Sequence, residues 1–242
     1  IYIDPCLTDV VALKWPDPAR GPTRAIETPL LPSDVTNASV VICSHEHIDH
    51  TDCFTLAGIA IASPNARFIA TGWAQPELDL ANIDQSRRII PQLGQTIDLG
   101  VAKLNVVAAA HYQREHDPVK GERWLSLHLD WGTVNFFHGG DTIIHPGYMD
   151  AIRQLPPVDI AMLACNGRDA IRDNNDLVGN LLPSEAAWLA QTLGWDTVIA
   201  GHNDLFAGNR LPAEEVFGGM RRIAPRLRVH DLQPGEMYLY LR

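Results

Sequence analysis

The chain has 242 residues, of which 46% are hydrophobic, and a chain of this length can bury one large core. Its formal net charge is −10 and its 19 lysines and arginines form no basic stripe, which argues against nucleic acid and anionic membranes as partners. The cysteines form no CxxC pair, and the sequence has no recognisable signal peptide and no apolar run of about 18 residues. We therefore expect one domain over residues 1–242, located in the cytoplasm, with a small molecule as its partner.

Strands and helices alternate in the first third of the chain. Strands joined by helical crossovers pair in parallel, so we expect a parallel sheet here. Residues 5–37 contain six prolines and little periodicity, which predicts a long surface loop. The hydrophobic pattern predicts strands over residues 1–4, 39–44 and 67–70 and helices over residues 55–62 and 74–81.

The pattern changes in the middle of the chain, where apolar and polar residues alternate on both sides of Trp131 and Gly132. This alternation predicts a hairpin over residues 123–140, and a Leu-Gly turn predicts two strands within residues 95–110. Two mixed β-sheets flanked by helices, an αβ/βα four-layer sandwich of the α/β class, accommodate this order of elements. The remaining predicted elements are helices over residues 183–194, with Ser184 as its N-cap, and 212–224, and strands over residues 158–164, 196–201 and 236–241.

The sequence HEHIDH, residues 45–50, follows the predicted strand 39–44 directly. Ligand sites of α/β proteins lie at the carboxyl ends of strands, so this position favours chemistry. His45 and His47 are two residues apart and can converge on one ion, while Asp49 and His50 turn toward a second point. The alternatives are a polar loop with chance histidines, or a single structural ion.

Three further candidate ligands follow other predicted strands. They are His111, Asp141 and His202, and the last two stand next to glycine. Asp4 closes the first strand in the same way and either orients a ligand histidine or caps the turn at Pro5. The recurrence of His and Asp at strand ends predicts one shared site.

A strand that ends in HxHxDH, a later His, an Asp after Gly-Gly and a final Gly-His together resemble the ordered signature of the metallo-β-lactamase superfamily. The segments GDTIIHPGY, CNGRDAIRDNNDLVGNLLPSEAAWLA and GHNDLFAGN are similar to the L-ascorbate-6-phosphate lactonase-like branch. The resemblance implies a metallo-β-lactamase-type sandwich with an amino-terminal hairpin before residue 1. It also implies that one ion is bound by His45, His47 and His111, a second by Asp49, His50 and His202, and that Asp141 bridges them.

Two divalent cations, Mn or Zn with Fe as a further option, can lower the pKa of a shared water to about 7 and so supply hydroxide. Asp49 or Asp141 would then carry the proton to the leaving group. We expect hydrolysis of a small polar ester or lactone of a sugar acid. A phosphodiesterase or nuclease of the same superfamily is the alternative, and a non-catalytic metal-binding interaction protein is a third interpretation.

Substrate contacts are predicted from the lactonase-like segments and from charge. We expect residues 111–124 to form a loop that covers the site as a mobile segment. The positive charges available to a substrate are Arg114, Lys120 and Arg123 in this loop, and Arg168 and Arg172. These charges favour an anionic substrate, or they are solvated charges of surface loops. The residues predicted to contact substrate are Asn166, Arg168, Asn180, Asp204 and Asn209.

Overall fold

The computed structural model describes residues 1–241 and contains two main sheets. The smaller has four strands in the order β1-β2-β3-β4, all parallel. Its strands are β1 (Tyr2–Ile3), β2 (Val40–Cys43), β3 (Arg67–Ala70) and β4 (Arg88–Ile89). The helices of this half are α1 (Val10–Lys14), α2 (Cys53–Ala62) and α3 (Gln75–Leu80).

The larger sheet has seven strands in the order β13-β12-β11-β10-β9-β6-β5. The pairs β10–β11, β11–β12 and β12–β13 are parallel, whereas the pairs β10–β9, β9–β6 and β6–β5 are antiparallel. Its strands are β5 (Ile97–Asp98), β6 (Lys103–Ala108), β9 (Leu125–Asp130), β10 (Asn135–His138), β11 (Ile160–Ala164), β12 (Thr197–Gly201) and β13 (Arg228–Asp231). The remaining elements are a small hairpin, β7 (His116–Asp117) and β8 (Gly121–Glu122), and the helices α4 (Tyr148–Arg153), α5 (Ala170–Asn174), α6 (Pro183–Leu193) and α7 (Ala213–Ile223).

Strand β2 is apolar on both faces because it lies between two cores. Successive side chains of a strand point to opposite faces. Val41 and Cys43 belong to the cluster that includes Leu56 of α2, whereas Val40 and Ile42 belong to the cluster with Leu127 of the larger sheet. The two sheets therefore pack face to face through β2, and the helices cover their outer faces.

The start of α2 is set by Asp52, immediately after the histidine-rich segment. Its carboxylate accepts hydrogen bonds from the backbone N–H groups of Phe54 and Thr55, at 3.0 and 3.1 Å, as an N-cap does. The same carboxylate accepts the backbone N–H and the hydroxyl of Thr8. The cap thus ties the segment after β1 to the helix that follows the histidines.

The predicted α/β architecture of two sheets with flanking helices is confirmed, although the smaller sheet is wholly parallel rather than mixed. Residues 5–37 are not simply a loop, because α1 and two short 3-10 helices form there. Ser184 does not cap α6: the helix begins at Pro183, and the Glu185 carboxylate accepts the N–H of Leu182.

The predicted strand over 236–241 is wrong. The last strand is β13, at residues 228–231, which pairs with β12 and forms the edge of the larger sheet, whereas residues 236–241 form no strand. The short elements β4, β7, β8, β13, α4 and α5 are not predicted by the sequence, because so few residues carry little periodicity. None of the helices described is long and apolar enough to cross a membrane.

Replacing Leu127 by Ala should destabilise the protein by about 2–5 kcal/mol, because the side chain is 0% exposed and fills the space between the sheets. Leu80→Ala is the matched control, since Leu80 is 66% exposed and its loss should cost well under about 1 kcal/mol. Denaturant unfolding measures both. Equal destabilisation of the two variants would contradict the packing described.

Candidate metal centre

Four strand ends from both sheets meet at one point. The segment from His45 to His50 follows β2, and the loops after β6, β10 and β12 carry His111, Asp141 and His202. After β2 the chain turns sharply, since the N–H groups of residues 50 and 51 both donate to the carbonyl of His47. The structure thus brings together all seven histidines and aspartates predicted as ligands.

Asp141 lies between two groups of histidines. Its Oδ2 is 3.2 Å from His111 Nε2 and 3.3 Å from His202 Nε2, and its Oδ1 is 3.4 Å from His50 Nε2. Asp49 Oδ2 is 3.5 Å from His202 Nε2. Three sets of side chains place their ligand atoms within 4.8 Å of one another: His45, His47 and His111; His45, His50 and Asp141; and Asp49, His50 and His202.

The backbone before Asp141 requires glycine. Gly140 has φ of +60°, and a Cβ there would lie 2.5 Å from the carbonyl oxygen of Leu125. That carbonyl belongs to the first residue of β9, whose N–H donates to the carbonyl of Ser44 at the end of β2. The glycine therefore permits the close approach of the two sheets beside the site.

Asp4 orients two of the histidines. Its carboxylate accepts the N–H and the hydroxyl of Ser44, each at 2.7 Å, and lies 2.9 Å from His50 Nδ1. Because the Ser44 hydroxyl donates to Asp4, it can only accept from His45 Nδ1, 3.0 Å away. Both imidazoles therefore carry a proton at Nδ1, and Nε2 is the nitrogen of each ring that can bind an ion. Of the two roles proposed for Asp4, orientation of a histidine is the one its contacts support.

Several buried ligand atoms at this point have no hydrogen-bond partner. They are Nε2 of His45, both ring nitrogens of His111 and Oδ1 of Asp141. A buried polar atom without a partner costs free energy, so native structures pair such atoms with protein, water or an ion. Imidazole and carboxylate donors that converge without partners fit a divalent cation such as Zn or Mn.

The electrostatics of the site also favour positive charge. Burial opposes protonation of His50, yet the carboxylates of Asp141, Asp49 and Asp4 raise its pKa to about 10. Burial favours the neutral form of Asp141, but the adjacent imidazoles hold the pKa of its carboxyl well below the usual range. Burial and neighbouring histidines lower the pKa of His45. The carboxylates thus create a field that a cation would neutralise.

The arginines predicted to bind an anion are already paired. Arg114 donates to Glu122, and Arg123 donates to Glu46 at 2.5 Å and to Glu115 at 2.9 Å. Glu46 stands between His45 and His47, so Arg123 supports the histidine segment from outside. The two arginines of the loop from 111 to 124 are therefore held by ion pairs, and Lys120 Nζ lies 4.4 Å from the ring centroid of Trp73.

Two cavities open on opposite sides of the histidines, and Asp49, Asp141 and His202 line both. The larger, about 430 Å³, is also lined by Asp4, His50 and His138. The smaller, about 140 Å³, reaches His47 and His111 and is walled by residues 11–22 and 176–178. Residues 5–37, predicted as a surface loop, thus contribute walls to the site.

The predicted substrate residues separate into two groups. Asp204 lines the larger cavity and Asn209 lines both. Asn166, Arg168 and Asn180 are not among the described lining residues, and Arg168 is held by Glu185 at 2.6 Å.

Sequence reasoning missed His138 and Arg20, which line the larger and the smaller cavity respectively. A signal existed for His138, which stands directly before the Gly-Gly-Asp segment that ends at Asp141. Nothing in the pattern of residues 5–37 singled out Arg20.

The comparisons with known proteins agree on the fold. A family profile described as a beta-lactamase superfamily domain matches residues 1–203. The structure of a possible metal-dependent hydrolase from Veillonella parvula is similar with a TM-score of 0.69 at 17% identity, covering 97% of this chain and 90% of that chain. Isothiocyanate hydrolase from Delia radicum gut bacteria is similar with a TM-score of 0.67 at 17% identity, with the same two coverages, 97% and 90%.

Igni18, a metallo hydrolase from the archaeon Ignicoccus hospitalis, has a TM-score of 0.62 at 19% identity and is matched over 77% of its length by 82% of this chain. At these identities the likenesses show the fold alone, and they confirm the predicted fold class. The sequence matches none of the curated proteins with which it was compared.

Asp4→Asn should weaken binding of Zn²⁺ about 10–100-fold, because an amide at this position donates to His50 Nδ1 and drives its proton to Nε2. A competition titration with a chromophoric chelator measures the affinity. Asp150→Asn is the control, since that carboxylate is exposed and pairs only with Arg153 among the contacts described. Unchanged affinity in Asp4→Asn would show that Asp4 does not set the histidine tautomers.

Proposed function

The chain belongs to the β-lactamase superfamily, and we propose that it is a metal-dependent hydrolase of a small polar ester or lactone. The observation that carries the proposal is the convergence of seven histidines and aspartates, three of which, His45, His111 and Asp141, have buried ligand atoms without hydrogen-bond partners. The lactonase-like branch remains a prediction from sequence motifs. If the purified protein binds no divalent metal, the proposed hydrolase function is contradicted.

We assign His45, His47 and His111 to one ion and Asp49, His50 and His202 to another, because each set converges within 4.8 Å. Asp141 would bridge the two ions, since its two oxygens face His111 on one side and His50 on the other. The mixed imidazole and carboxylate donors suit Zn, Mn or Fe.

When bound, divalent cations lower the pKa of a water and polarise the carbonyl oxygen of the substrate. The chain's own residues then have three tasks: to hold those ions, to place the substrate and to move a proton. We assign the proton transfer to Asp49, because its side chain is 19% exposed and lines both cavities, whereas that of Asp141 is 4% exposed.

The smaller cavity is the substrate site that this proposal requires. Its volume of about 140 Å³ admits a small molecule or one end of it and excludes a polymer. Trp15, Leu177 and Phe206 supply apolar walls for ring carbons, and Arg20 and Asn209 supply polar groups for oxygens. Arg20 pairs with Asp176 at 3.1 Å, and such an exposed pair is weak enough for an anionic substrate group to displace it.

A second candidate substrate class is an isothiocyanate. The isothiocyanate hydrolase covers 97% of this chain, and the apolar walls of the smaller cavity suit a substrate with few polar groups. A phosphodiester is less favoured, since the chain carries a net charge of −10 and the arginines of loop 111–124 are paired. A screen with a sugar-acid lactone, an alkyl isothiocyanate and bis-p-nitrophenyl phosphate separates these substrates.

Protein purified without chelator should contain close to two equivalents of divalent metal, because two of the three converging sets, His45-His47-His111 and Asp49-His50-His202, share no residue. Mass spectrometry of the metal content measures this. Hydrolysis of the preferred substrate should disappear with chelator and return with added Zn²⁺ or Mn²⁺. Full activity of metal-free protein would exclude metal-dependent hydrolysis.

Asp141→Ala should lower metal content and activity more than His47→Ala, because Asp141 contacts histidines of both sets and His47 belongs to one. We expect a loss of activity of at least about 100-fold for Asp141→Ala. His230→Ala, on the edge strand β13, is the control and should retain both metal and activity. Equal losses for the Asp141 and His47 variants would contradict the bridging role.

A further inference from the structure

Asn209 belongs to a chain of amides that leads away from the cavities. Its Oδ1 accepts from Asn166 Nδ2 at 2.8 Å and from Arg172 Nη1 at 3.0 Å. Asn166 Oδ1 in turn accepts from Asn180 Nδ2 at 3.1 Å. Asn166 and Asn180 are both 0% exposed, so solvent does not compete for these bonds.

Arg172 determines which atom donates and which accepts in this series of amide hydrogen bonds. A guanidinium only donates, so the atom of Asn209 that faces it must be the carbonyl oxygen. Asn166 must then turn its NH₂ group to the same oxygen and its own oxygen to Asn180. Arg172 is itself fixed, because its Nε donates to Asp169 at 2.6 Å and its Nη1 donates to the carbonyl of Asn166 at 2.8 Å.

These bonds leave the NH₂ group of Asn209 without an acceptor among residues 1–241, while Asn209 lines both cavities. Its acceptor is occupied twice, so the amide presents donors, and no acceptor, to the space beside Asp49 and His202. A side-chain amide normally can turn over to suit either kind of partner, but here turning over would set two donors against each other.

We propose that Asn209 is a fixed hydrogen-bond donor to a substrate oxygen, and that Arg172 and Asn166 are positioning residues that keep its amide from turning over. The inference rests on the proposed hydrolase function and narrows its substrate. The group beside Asn209 is an acceptor oxygen, such as an acyl carbonyl on which negative charge develops during hydrolysis. Donors preorganised toward such an oxygen stabilise the transition state more than the ground state.

The test uses three Asn→Asp changes in the metal-loaded protein. The change Asn209→Asp keeps the shape of the side chain and its ability to accept from Arg172, but it removes the N–H that faces the cavity. The change Asn166→Asp replaces one of the two donors to Asn209 Oδ1 by an acceptor, so only Arg172 still holds the amide and part of the population turns its NH₂ away from the cavity. Asn174→Asp is the matched control, on the exposed surface of α5.

For the ester or lactone that wild-type protein hydrolyses fastest, Asn209→Asp should lower kcat about 100-fold with little change in KM, as loss of one such donor does. Asn166→Asp should lower kcat about 3- to 10-fold, less than Asn209→Asp, because Arg172 still donates to Asn209 Oδ1. The double variant should be no slower than Asn209→Asp, because Asn166 acts through Asn209. Metal content should match wild type throughout, and Asn174→Asp should behave as wild type. Wild-type kcat in Asn209→Asp, or losses that multiply in the double variant, would overturn the proposal.

The orientation of the amide can be tested without turnover. In ¹⁵N spectra, the Asn209 side-chain NH₂ should exchange with cavity water in wild-type protein and exchange more slowly in Asn166→Asp, where part of the population is turned over. Protection already present in wild type would overturn the inference. Absence of turnover with every ester, lactone and isothiocyanate would refute the proposed function, and this spectroscopic result would still decide the role of Asn209.

Discussion

The Asp4 carboxylate is the contact on which the arrangement of the site depends. It joins the end of β1 to the end of β2 through the N–H and hydroxyl of Ser44, and it reaches His50 directly. Its backbone has φ of +46°, a conformation that a non-glycine residue adopts only when its surroundings hold it there. One buried carboxylate therefore couples strand pairing in the smaller sheet to the protonation of two imidazoles.

The site also depends on both sheets at once. His45 and His50 come from the smaller sheet, whereas Asp141 and His202 follow strands of the larger one. The sheets are held in register beside the site by the hydrogen bond from Leu125 to Ser44 and by the close approach at Gly140. Loosening of the core between the sheets would separate the two groups of side chains, so packing and metal binding should be coupled in this fold.

Strand periodicity and the rule that parallel strands place ligands at their carboxyl ends were enough to predict the sandwich and the side chains that converge. The same reasoning did not identify Arg123 and Arg168 as paired, because their carboxylate partners become neighbours only in the folded chain. Glu46 lies 77 residues from Arg123 and Glu185 lies 17 from Arg168. Whether an arginine is free depends on such tertiary contacts, and no local pattern encodes them. The strand predicted at 236–241 was wrong because alternation alone does not determine which segment pairs, and residues 228–231 take the place beside β12.

With the arginines of the 111–124 loop and of residues 168–172 committed to carboxylates, charge attraction contributes less to substrate choice than the sequence suggested. Cavity shape and the direction of hydrogen bonds must contribute more. Arg172 illustrates the change of role, because its positive charge is compensated by Asp169 while its geometry sets the polarity of the Asn209 amide. A cation that sequence analysis assigned to the substrate thus acts on the site through a neutral neighbour.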